Sequence, residues 1–294
     1  MKMLLLGGNG MAGHMIASYL RRTTDHELII TVRATSEERP GPDSGAGTAS
    51  SEGTEPRVRT LDVRDLTAVA TLVEETKPDV IVNAIGVLNQ QAEDHPLDAY
   101  LVNGLLPHWL HHLGKREGAR VVHVSSDCVF SGDRGDYGLD DVPDGQSVYA
   151  RSKALGEIRG PGCLTIRTSI IGPEIRPYGI GLMQWFLSCQ GQVSGYVNVK
   201  WNGVTTLELA KAIVWALDRP ELNGLVHLTA PEAISKHDLL LLMQRTFDKN
   251  DVVVAPDPQP VIDRTLSPGP RTWLYQTPDY PDMLRELSRW MIEA

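Results

Sequence analysis

The chain begins with an apolar strand-length run that leads directly into a glycine-rich turn and a helix-length segment. The run is Leu4–Leu6, the turn covers Gly7–Gly13, and the helical pattern extends to about Arg22. A buried strand followed by such a turn and a helix is the usual beginning of a β-α-β unit. Because parallel strands need crossover connections, this beginning favours an α/β fold with a parallel sheet.

The same alternation of strand and helix patterns continues through the first half of the chain. We expect further strands at Leu28–Val32, Val58–Leu61, Val80–Val82, Val121–Val124 and Leu164–Ile166. Between them we expect helices at Leu66–Glu75, Leu97–Lys115 and Ser147–Ile158. Several of these strands lack polar alternation, as expected for strands that are buried on both faces of a sheet. The pattern predicts an α/β, Rossmann-type, doubly wound parallel sheet.

The alternation weakens in the second half of the chain, which indicates a smaller C-terminal unit. We predict a dinucleotide-binding domain at 1–167 and a mainly substrate-binding domain at 168–294. Segments near 193–228 and 273–294 are expected to pack back on the first domain. Within them, the apolar run Leu225–Leu228 is expected to join the parallel sheet.

Residues 34–57 interrupt the regular pattern. This stretch is rich in Gly, Pro, Ser, Thr and Glu and contains almost no large apolar residue. Such a composition cannot bury enough apolar surface to order itself. We therefore predict a mobile insertion after the second strand.

Composition excludes several classes of protein. Hydrophobic residues make up 41% and charged residues 22% of the chain, which is ordinary for a folded globular protein. The net charge of −9 argues against nucleic-acid binding through phosphate neutralisation. The three cysteines, Cys128, Cys163 and Cys189, form no Cys-x-x-Cys pair, and no apolar run is long enough to span a membrane. We expect a cytoplasmic monomer or homodimer without a metal site.

The glycines of the first turn have the spacing of a dinucleotide site. Gly7, Gly10 and Gly13 follow each other at three-residue intervals between a strand and a helix. Missing Cβ atoms allow the tight turn, and the helix N-terminus offers N–H groups and partial positive charge to a pyrophosphate. We therefore expect cofactor contacts from Gly7, Asn9, Gly10, Met11 and Gly13.

The ends of the next strands indicate which dinucleotide binds. Arg33 ends the second strand where NAD sites usually carry an acidic residue, so a bidentate contact to a 2′-phosphate favours NADPH, with NADH as the alternative. Asp62, next to Val63, either accepts a hydrogen bond from the adenine amino group or caps the following helix. The small residues after the fourth strand suit a cofactor-facing surface, which comprises Asn83, Ala84, Ile85 and Gly86.

A Tyr and a Lys four residues apart form the candidate catalytic pair. Tyr149 and Lys153 lie on one face of a predicted helix, one turn apart. A neighbouring cation lowers the pKa of a phenol and makes proton transfer near neutral pH easier. The pair follows the fifth strand and its polar end, Ser125–Asp127, at the sheet edge where open α/β folds bind ligands.

These features occur in the order typical of the extended short-chain dehydrogenase/reductase family, which the sequence resembles. The family's hallmarks are Gly-x-x-Gly-x-x-Gly, a Ser or Thr after the fifth strand, and Tyr-x-x-x-Lys. The resemblance implies that Tyr149 is the general acid and that Ser126, or alternatively Ser125, hydrogen-bonds the reacting oxygen. It also implies that Lys153 lowers the pKa of Tyr149 and holds the nicotinamide ribose. Asn103 matches an asparagine that organises the family's site, or is a helix-packing amide.

Within that family, the sequence is similar to the dTDP-4-dehydrorhamnose reductase group over about residues 1–172. Ser125–Gly132 reads Ser-Ser-Asp-Cys-Val-Phe-Ser-Gly and resembles the group's Ser-Thr-Asp-Tyr-Val-Phe-Asp-Gly. Arg167–Ser169 resembles its Arg-Thr-Ser. Cys128 stands where the group has a tyrosine, and residues 34–57 are an insertion relative to the group, so the resemblance does not specify the sugar. The residues expected to bind substrate are Asn103, Ser125, Asp127 and Arg176.

The resemblance implies NADPH-dependent reduction of a keto group on a nucleotide-linked deoxysugar, in deoxysugar or cell-surface polysaccharide biosynthesis. Two alternatives remain: an NAD-dependent sugar-nucleotide epimerase and a non-catalytic dinucleotide-binding regulatory subunit. Dehydratases of this fold carry Asp-Glu after the Ser or Thr, whereas Cys128 follows Asp127 here. As a partner we expect a nucleotide-sugar substrate, and we expect neither nucleic acid nor a membrane.

Overall fold

A seven-stranded parallel sheet forms the centre of the protein. The computed structural model describes residues 1–33, 56–175, 179, 181–270 and 272–293. The sheet strands are β1 (Lys2–Leu6), β2 (Glu27–Val32), β3 (Arg57–Thr60), β4 (Val80–Asn83), β5 (Arg120–Ser126), β6 (Cys163–Thr168) and, from the later half of the chain, β11 (Gly224–His227). Their spatial order is β11-β6-β5-β4-β1-β2-β3, and every neighbouring pair is parallel.

The strand order reverses between β1 and β4, which is the mark of a doubly wound sheet. The helices of this half are α1 (Met11–Thr23), α2 (Leu66–Thr76), α3 (Asn89–Asp94), α4 (Pro96–Ala99), α5 (Leu106–Glu117) and α6 (Val148–Leu155). Alternate strand residues enter two separate cores: Met3 and Leu5 pack on one face of the sheet, and Leu4 and Leu6 on the other. The predicted Rossmann-type fold class is confirmed, and its reversal point is where such sheets bind ligands.

The remaining elements continue the chain after β6. Strands pair in three small sheets: β7 (Ile170–Ile171) with β10 (Val204–Thr205), β8 (Gly191–Tyr196) with β13 (Val252–Asp257), and β9 (Val199–Trp201) with β12 (Ile234–Ser235) and β14 (Ile262–Asp263). The helices are α7 (Leu182–Ser188), α8 (Thr206–Leu217), α9 (Lys236–Thr246) and α10 (Tyr280–Glu293). Among the described helices, none is long and apolar enough to cross a membrane.

Parts of this second half return to the large sheet. Helix α8 packs on α1, and β11 adds to β6, as expected for the run at 225–228. Near the end of α10, Trp290 packs against Tyr19 of α1, with ring centroids 5.5 Å apart and the ring planes tilted by 39°. The start of the segment expected at 193–228 differs, because residues 193–196 belong to β8 and pair with β13 instead.

Two local expectations need correction. The single helix expected at 97–115 contains a π-helical turn, Tyr100–Leu105, between α4 and α5. The insertion expected at 34–57 lies outside the described residues up to residue 55, and its last residue, Arg57, already belongs to β3.

The glycine turn after β1 has no room for a side chain at three positions, Gly7, Gly8 and Gly13. Gly7 has φ +93°, a backbone conformation that favours glycine. A Cβ built on Gly13 would lie 2.1 Å from the carbonyl oxygen of Gly7, so α1 packs directly on the turn. Gly10 caps α1 without any side-chain hydrogen bond, which leaves the first N–H groups of the helix available to a ligand.

We predict that Gly13→Ala destabilises the protein by about 1–3 kcal/mol, because the new methyl group must displace the Gly7 backbone. Urea unfolding monitored by circular dichroism measures this change. Gly138→Ala is the control, since a Cβ there would have its nearest neighbour, Asp141 Oδ2, at 3.6 Å, an ordinary contact distance. Equal stability of the two variants would contradict the close packing of α1 on the turn.

Candidate active site

The candidate catalytic residues meet at the carboxyl edge of β5. Ser126 is the last residue of β5, and Tyr149 and Lys153 lie on α6, whose N-cap Ser147 accepts a hydrogen bond from Ala150 N. Glu93 of α3 fixes the same helix start by accepting from Val148 N at 2.8 Å. The sheet edge and two helices therefore hold the site in a defined geometry.

Ser126 is buried and links the β5 end to the catalytic tyrosine. Its hydroxyl donates to Asp127 Oδ1 at 3.2 Å and accepts from Cys128 N at 3.1 Å. Burial raises the pKa of Tyr149 above its usual value, and a hydrogen bond with Ser126 acts in the opposite direction. The phenol is therefore protonated at neutral pH, as a general acid requires.

Lys153 is buried one turn after Tyr149. Its ammonium donates to the carbonyl oxygen of Val124 at 2.7 Å. Burial lowers the pKa of Lys153 to about 8, and the charge of Glu157 acts against this effect. In this structure the hydrogen bond with Ser126 acts to lower the pKa of Tyr149, and a lowering by Lys153 stays a prediction.

Ser125 faces the opposite side of β5 from Ser126, because successive strand residues alternate between faces. Its hydroxyl donates to Glu157 Oε1 at 2.8 Å, and the residue is buried. This corrects the prediction that Ser125 binds substrate: its hydroxyl belongs to the packing behind the site. It also removes Ser125 as the alternative to Ser126.

Glu157 takes part in a buried ion pair with Arg167 at the end of β6. Arg167 Nε donates to Oε1 at 2.8 Å and Nη2 donates to Oε2 at 2.5 Å, with both side chains nearly inaccessible to solvent. Arg167 Nη1 also donates to His227 Nε2 at 3.0 Å, and His227 Nδ1 donates to Ser267 O at 2.9 Å. Burial lowers the pKa of His227 to about 4, so the ring is neutral. The chain of contacts connects the segment just after α6, strands β6 and β11, and the segment around Ser267.

Asn103 lies in the π-helical turn and is completely buried. Its amide accepts from Val87 N at 2.8 Å and donates to Val87 O at 2.9 Å and Ser152 Oγ at 3.0 Å. No part of the side chain is left to contact a ligand. The predicted substrate contact is therefore corrected: Asn103 holds the loop after β4 against α6.

Arg33 and Asp62 lie near each other beside the ends of β2 and β3. Arg33 is exposed, and its positive charge contributes to lowering the pKa of Asp62. The larger cause is Arg64, which donates to both carboxylate oxygens of Asp62 and pairs with Asp98 at 2.9 Å.

The N-cap alternative for Asp62 is wrong, because Asp65 caps α2 by accepting from Thr67 N and Ala68 N. An adenine amino group would share the Asp62 carboxylate with Arg64.

The predicted cofactor surface divides into exposed and buried members. Gly86 is exposed, Ala84 and Ile85 are half-buried, and so are Gly7, Asn9, Gly10 and Met11 at the glycine turn. Val63 is buried. Asn83 is fully buried. Its amide nitrogen lies 3.2 Å from His123 Nδ1, and its carbonyl oxygen accepts a hydrogen bond from Ile85 N at 3.2 Å. Asn83 therefore shapes the turn after β4, which corrects the prediction that it contacts the cofactor directly.

A cavity of about 790 Å³ lies in the second half of the chain, and its wall residue Lys236 interacts electrostatically with Asp127 and Cys128 in the loop Asp127–Val129 after β5, the candidate catalytic loop. It is lined mainly by α7, β8 and the start of α9, with Trp185, Tyr196 and Lys236 among its wall residues. Asp127 is buried, which raises its pKa, while the charges of Lys236 and Arg264 act in the opposite direction. Arg176, the remaining predicted substrate contact, lies outside the described residues.

Sequence analysis missed Lys236, although one signal was present. Lys236 is the first residue of α9, and a cation in the first turn opposes the helix dipole. Such a placement is unfavourable unless another interaction compensates for it. The pattern alone could not reveal that β12 brings this position to the cavity.

Comparisons with known proteins agree with this architecture. A family model described as RmlD substrate binding domain matches residues 1–264. A dTDP-4-dehydrorhamnose reductase of Salmonella typhimurium is 31% identical over 200 residues, covering 64% of this chain and 66% of the relative, so the chain spans about two thirds of that relative's length. Methionine adenosyltransferase 2 subunit beta of Xenopus laevis is 22% identical over 236 residues, covering 74% and 68% respectively.

A similar solved structure is a dTDP-4-dehydrorhamnose reductase from Bacillus anthracis in complex with NADP. Its TM-score is 0.73 at 19% identity, with 100% of this chain and 99% of that chain covered. At this identity the likeness establishes the shared fold along the whole chain.

We predict that Arg167→Met lowers the free energy of unfolding by about 3–5 kcal/mol, because it leaves the Glu157 carboxylate buried without its partner. The double variant Glu157→Gln/Arg167→Met is expected to lose less than the sum of the two single variants. Urea unfolding of all three variants measures the coupling.

The control for this cycle is Arg159→Met, which removes an exposed guanidinium 3.8 Å from Asp140. Its expected effect is within about 1 kcal/mol. If Arg167→Met costs no more than this control, the buried pair is not a stabilising constraint.

Proposed function

Because the chain belongs to the family of RmlD substrate binding domains, we propose that it is an NADPH-dependent reductase of a keto group on a nucleotide-linked deoxysugar. The observation that carries the proposal is the convergence of Ser126, Tyr149 and Lys153 at the carboxyl edge of β5, the same edge of the parallel sheet at which the glycine turn follows β1. The likeness to dTDP-4-dehydrorhamnose reductases supports the same substrate class. The reaction belongs to deoxysugar or cell-surface polysaccharide biosynthesis in the cytoplasm, with the protein acting as a monomer or homodimer.

The residues of the glycine turn fit a dinucleotide. The N-terminus of α1 lacks a side-chain cap, and Gly13 packs closely on the Gly7 backbone, so neither of these positions presents a side chain to a ligand. These N–H groups would bind the pyrophosphate, while Arg33 would bind a 2′-phosphate and Lys153 the nicotinamide ribose. When bound, the nicotinamide supplies the hydride.

Tyr149 and Ser126 supply the remaining chemistry at the substrate oxygen. Tyr149 donates its phenolic proton as the carbonyl oxygen gains negative charge, and its raised pKa keeps that proton in place before the reaction. Ser126 forms a hydrogen bond with Tyr149, and its hydroxyl proton, which here goes to Asp127 Oδ1, would turn to the substrate oxygen to supply a second hydrogen bond. Lys153, fixed by Val124 O, places a positive charge next to this site.

Two further candidate functions lead to different observations. An epimerase would retain a tightly bound NAD that is reduced and reoxidised within one turnover. The second candidate is a non-catalytic regulatory subunit that binds dinucleotide, which the likeness to a protein named as a subunit, methionine adenosyltransferase 2 subunit beta, brings into consideration. Such a role has no need of the complete set of Ser126, Tyr149 and Lys153.

We predict that Tyr149→Phe lowers kcat for NADPH oxidation by about 10²- to 10⁴-fold, because the proton donor is lost. The measurement is the decrease in NADPH absorbance with a dTDP-4-keto-6-deoxyhexose as substrate. Tyr19→Phe is the control, since Tyr19 packs on Trp290 away from the site. No oxidation by the wild type, together with bound NAD in the purified protein, would favour the epimerase; no oxidation without bound NAD would favour the regulatory role.

We predict that Arg33→Ala raises KM for NADPH about 10- to 100-fold and leaves KM for NADH nearly unchanged, because only NADPH carries the 2′-phosphate. Steady-state kinetics with both cofactors provide the test. Arg57→Ala is the control. This exposed arginine begins β3 near Glu27, whereas Arg33 lies beside the other end of β3. Equal losses with NADPH and NADH would show that Arg33 does not read the phosphate.

A further inference from the structure

Lys236 places a positive charge in the wall of the large cavity. It begins α9, and its ammonium lies 4.3 Å from the centre of the Trp201 ring. Within the described part of the chain, this ammonium makes no hydrogen bond and no ion pair. Burial lowers the pKa of Lys236 to about 8, and the charges of Asp127 and Cys128 act against this. The side chain is thus mostly charged at pH 7.

A half-buried cation without a hydrogen-bonding partner is unfavourable unless a ligand supplies one. The stacking on Trp201 offsets only part of the lost hydration. The N-terminus of α9 adds further positive potential at the same place. The cavity therefore presents an unpaired cationic group that is suited to an anion.

The surroundings of Lys236 indicate which part of a ligand it meets. On one side lies the catalytic loop with Asp127 and Cys128, next to Ser126 and Tyr149. The cavity wall also carries two aromatic side chains, Trp185 and Tyr196, which are 41% and 40% exposed. Exposed aromatic rings in a ligand cavity are suited to stacking on a nucleobase.

A nucleotide sugar has the same sequence of parts: a reacting sugar, a diphosphate and a nucleoside. The keto-deoxysugar is uncharged, so the diphosphate is the anionic part of the molecule. We infer that Lys236 binds the diphosphate of the substrate, with the sugar toward Tyr149 and the base toward Trp185 and Tyr196. This inference rests on the proposed function for its substrate class, and it gives Lys236 a role in binding rather than in proton transfer.

Binding of product fragments tests this role without the reaction. Isothermal titration calorimetry is performed with dTDP and UDP, and with thymidine and uridine, which lack the diphosphate. The comparison uses whichever of dTDP and UDP the wild type binds more tightly. We expect Lys236→Met to weaken binding of that nucleoside diphosphate by about 10- to 100-fold and to leave nucleoside binding unchanged. Lys236→Arg is expected to retain most of the affinity, because it keeps the charge.

Lys200→Met is the matched control, since it removes an exposed lysine on the neighbouring strand β9. Its diphosphate affinity is expected to stay within about twofold of the wild type, because exposed charges are screened. NADPH binding and thermal unfolding of each variant verify that the fold is intact, and Lys236→Arg remains informative if Lys236→Met does not fold.

The inference is overturned if Lys236→Met binds the diphosphate as the wild type does, or if nucleoside affinity falls equally. It is also overturned if the wild type binds neither dTDP nor UDP. Failure of the proposed reductase function has a separate signature. In that case the diphosphate binds through Lys236 while NADPH is not oxidised.

Discussion

The buried pair of Arg167 and Glu157 is the constraint on which the arrangement of the site depends. A guanidinium inside the protein must have its donors satisfied, and here Glu157 and His227 take three of them. Glu157 lies between the end of α6 and the start of β6, and His227 ends β11, so satisfying the charge of Arg167 ties the segment just after α6 and the end of β11 to β6. Because that segment directly follows the helix that carries Tyr149 and Lys153, the electrostatic requirement of Arg167 helps to position these candidate catalytic residues.

The large sheet and the helices between its strands could be predicted from sequence because most of these elements have a local signal. Apolar runs such as Val121–Val124 are too short and too uniform for anything but buried strands, and Gly7 and Gly13 sit where a side chain has no room. The π-helical turn at Tyr100–Leu105 had no such signal. It forms because Asn103 bonds to both peptide groups of Val87, a contact between distant residues that no local pattern encodes.

The candidate site was less predictable than the fold for a related reason. Motif spacing identified Ser126, Tyr149 and Lys153, but it could not say which way neighbouring side chains face. Ser125 differs from Ser126 only by strand alternation, and that difference sends its hydroxyl to Glu157. Lys236 reaches the cavity through the pairing of β12 with β9, which sequence alone did not indicate.

The late arrival of β11 has a consequence for synthesis on the ribosome. Strand β6 is buried along its whole length in the finished protein, and one of its hydrogen-bonding edges is covered only by β11. During translation, helices α7 and α8 and strands β7–β10 must emerge before that edge finds its partner. An uncovered apolar strand edge is a template for pairing with other chains. The nascent protein is therefore most vulnerable to aggregation in this interval, when six of the seven strands of the large sheet have been synthesised.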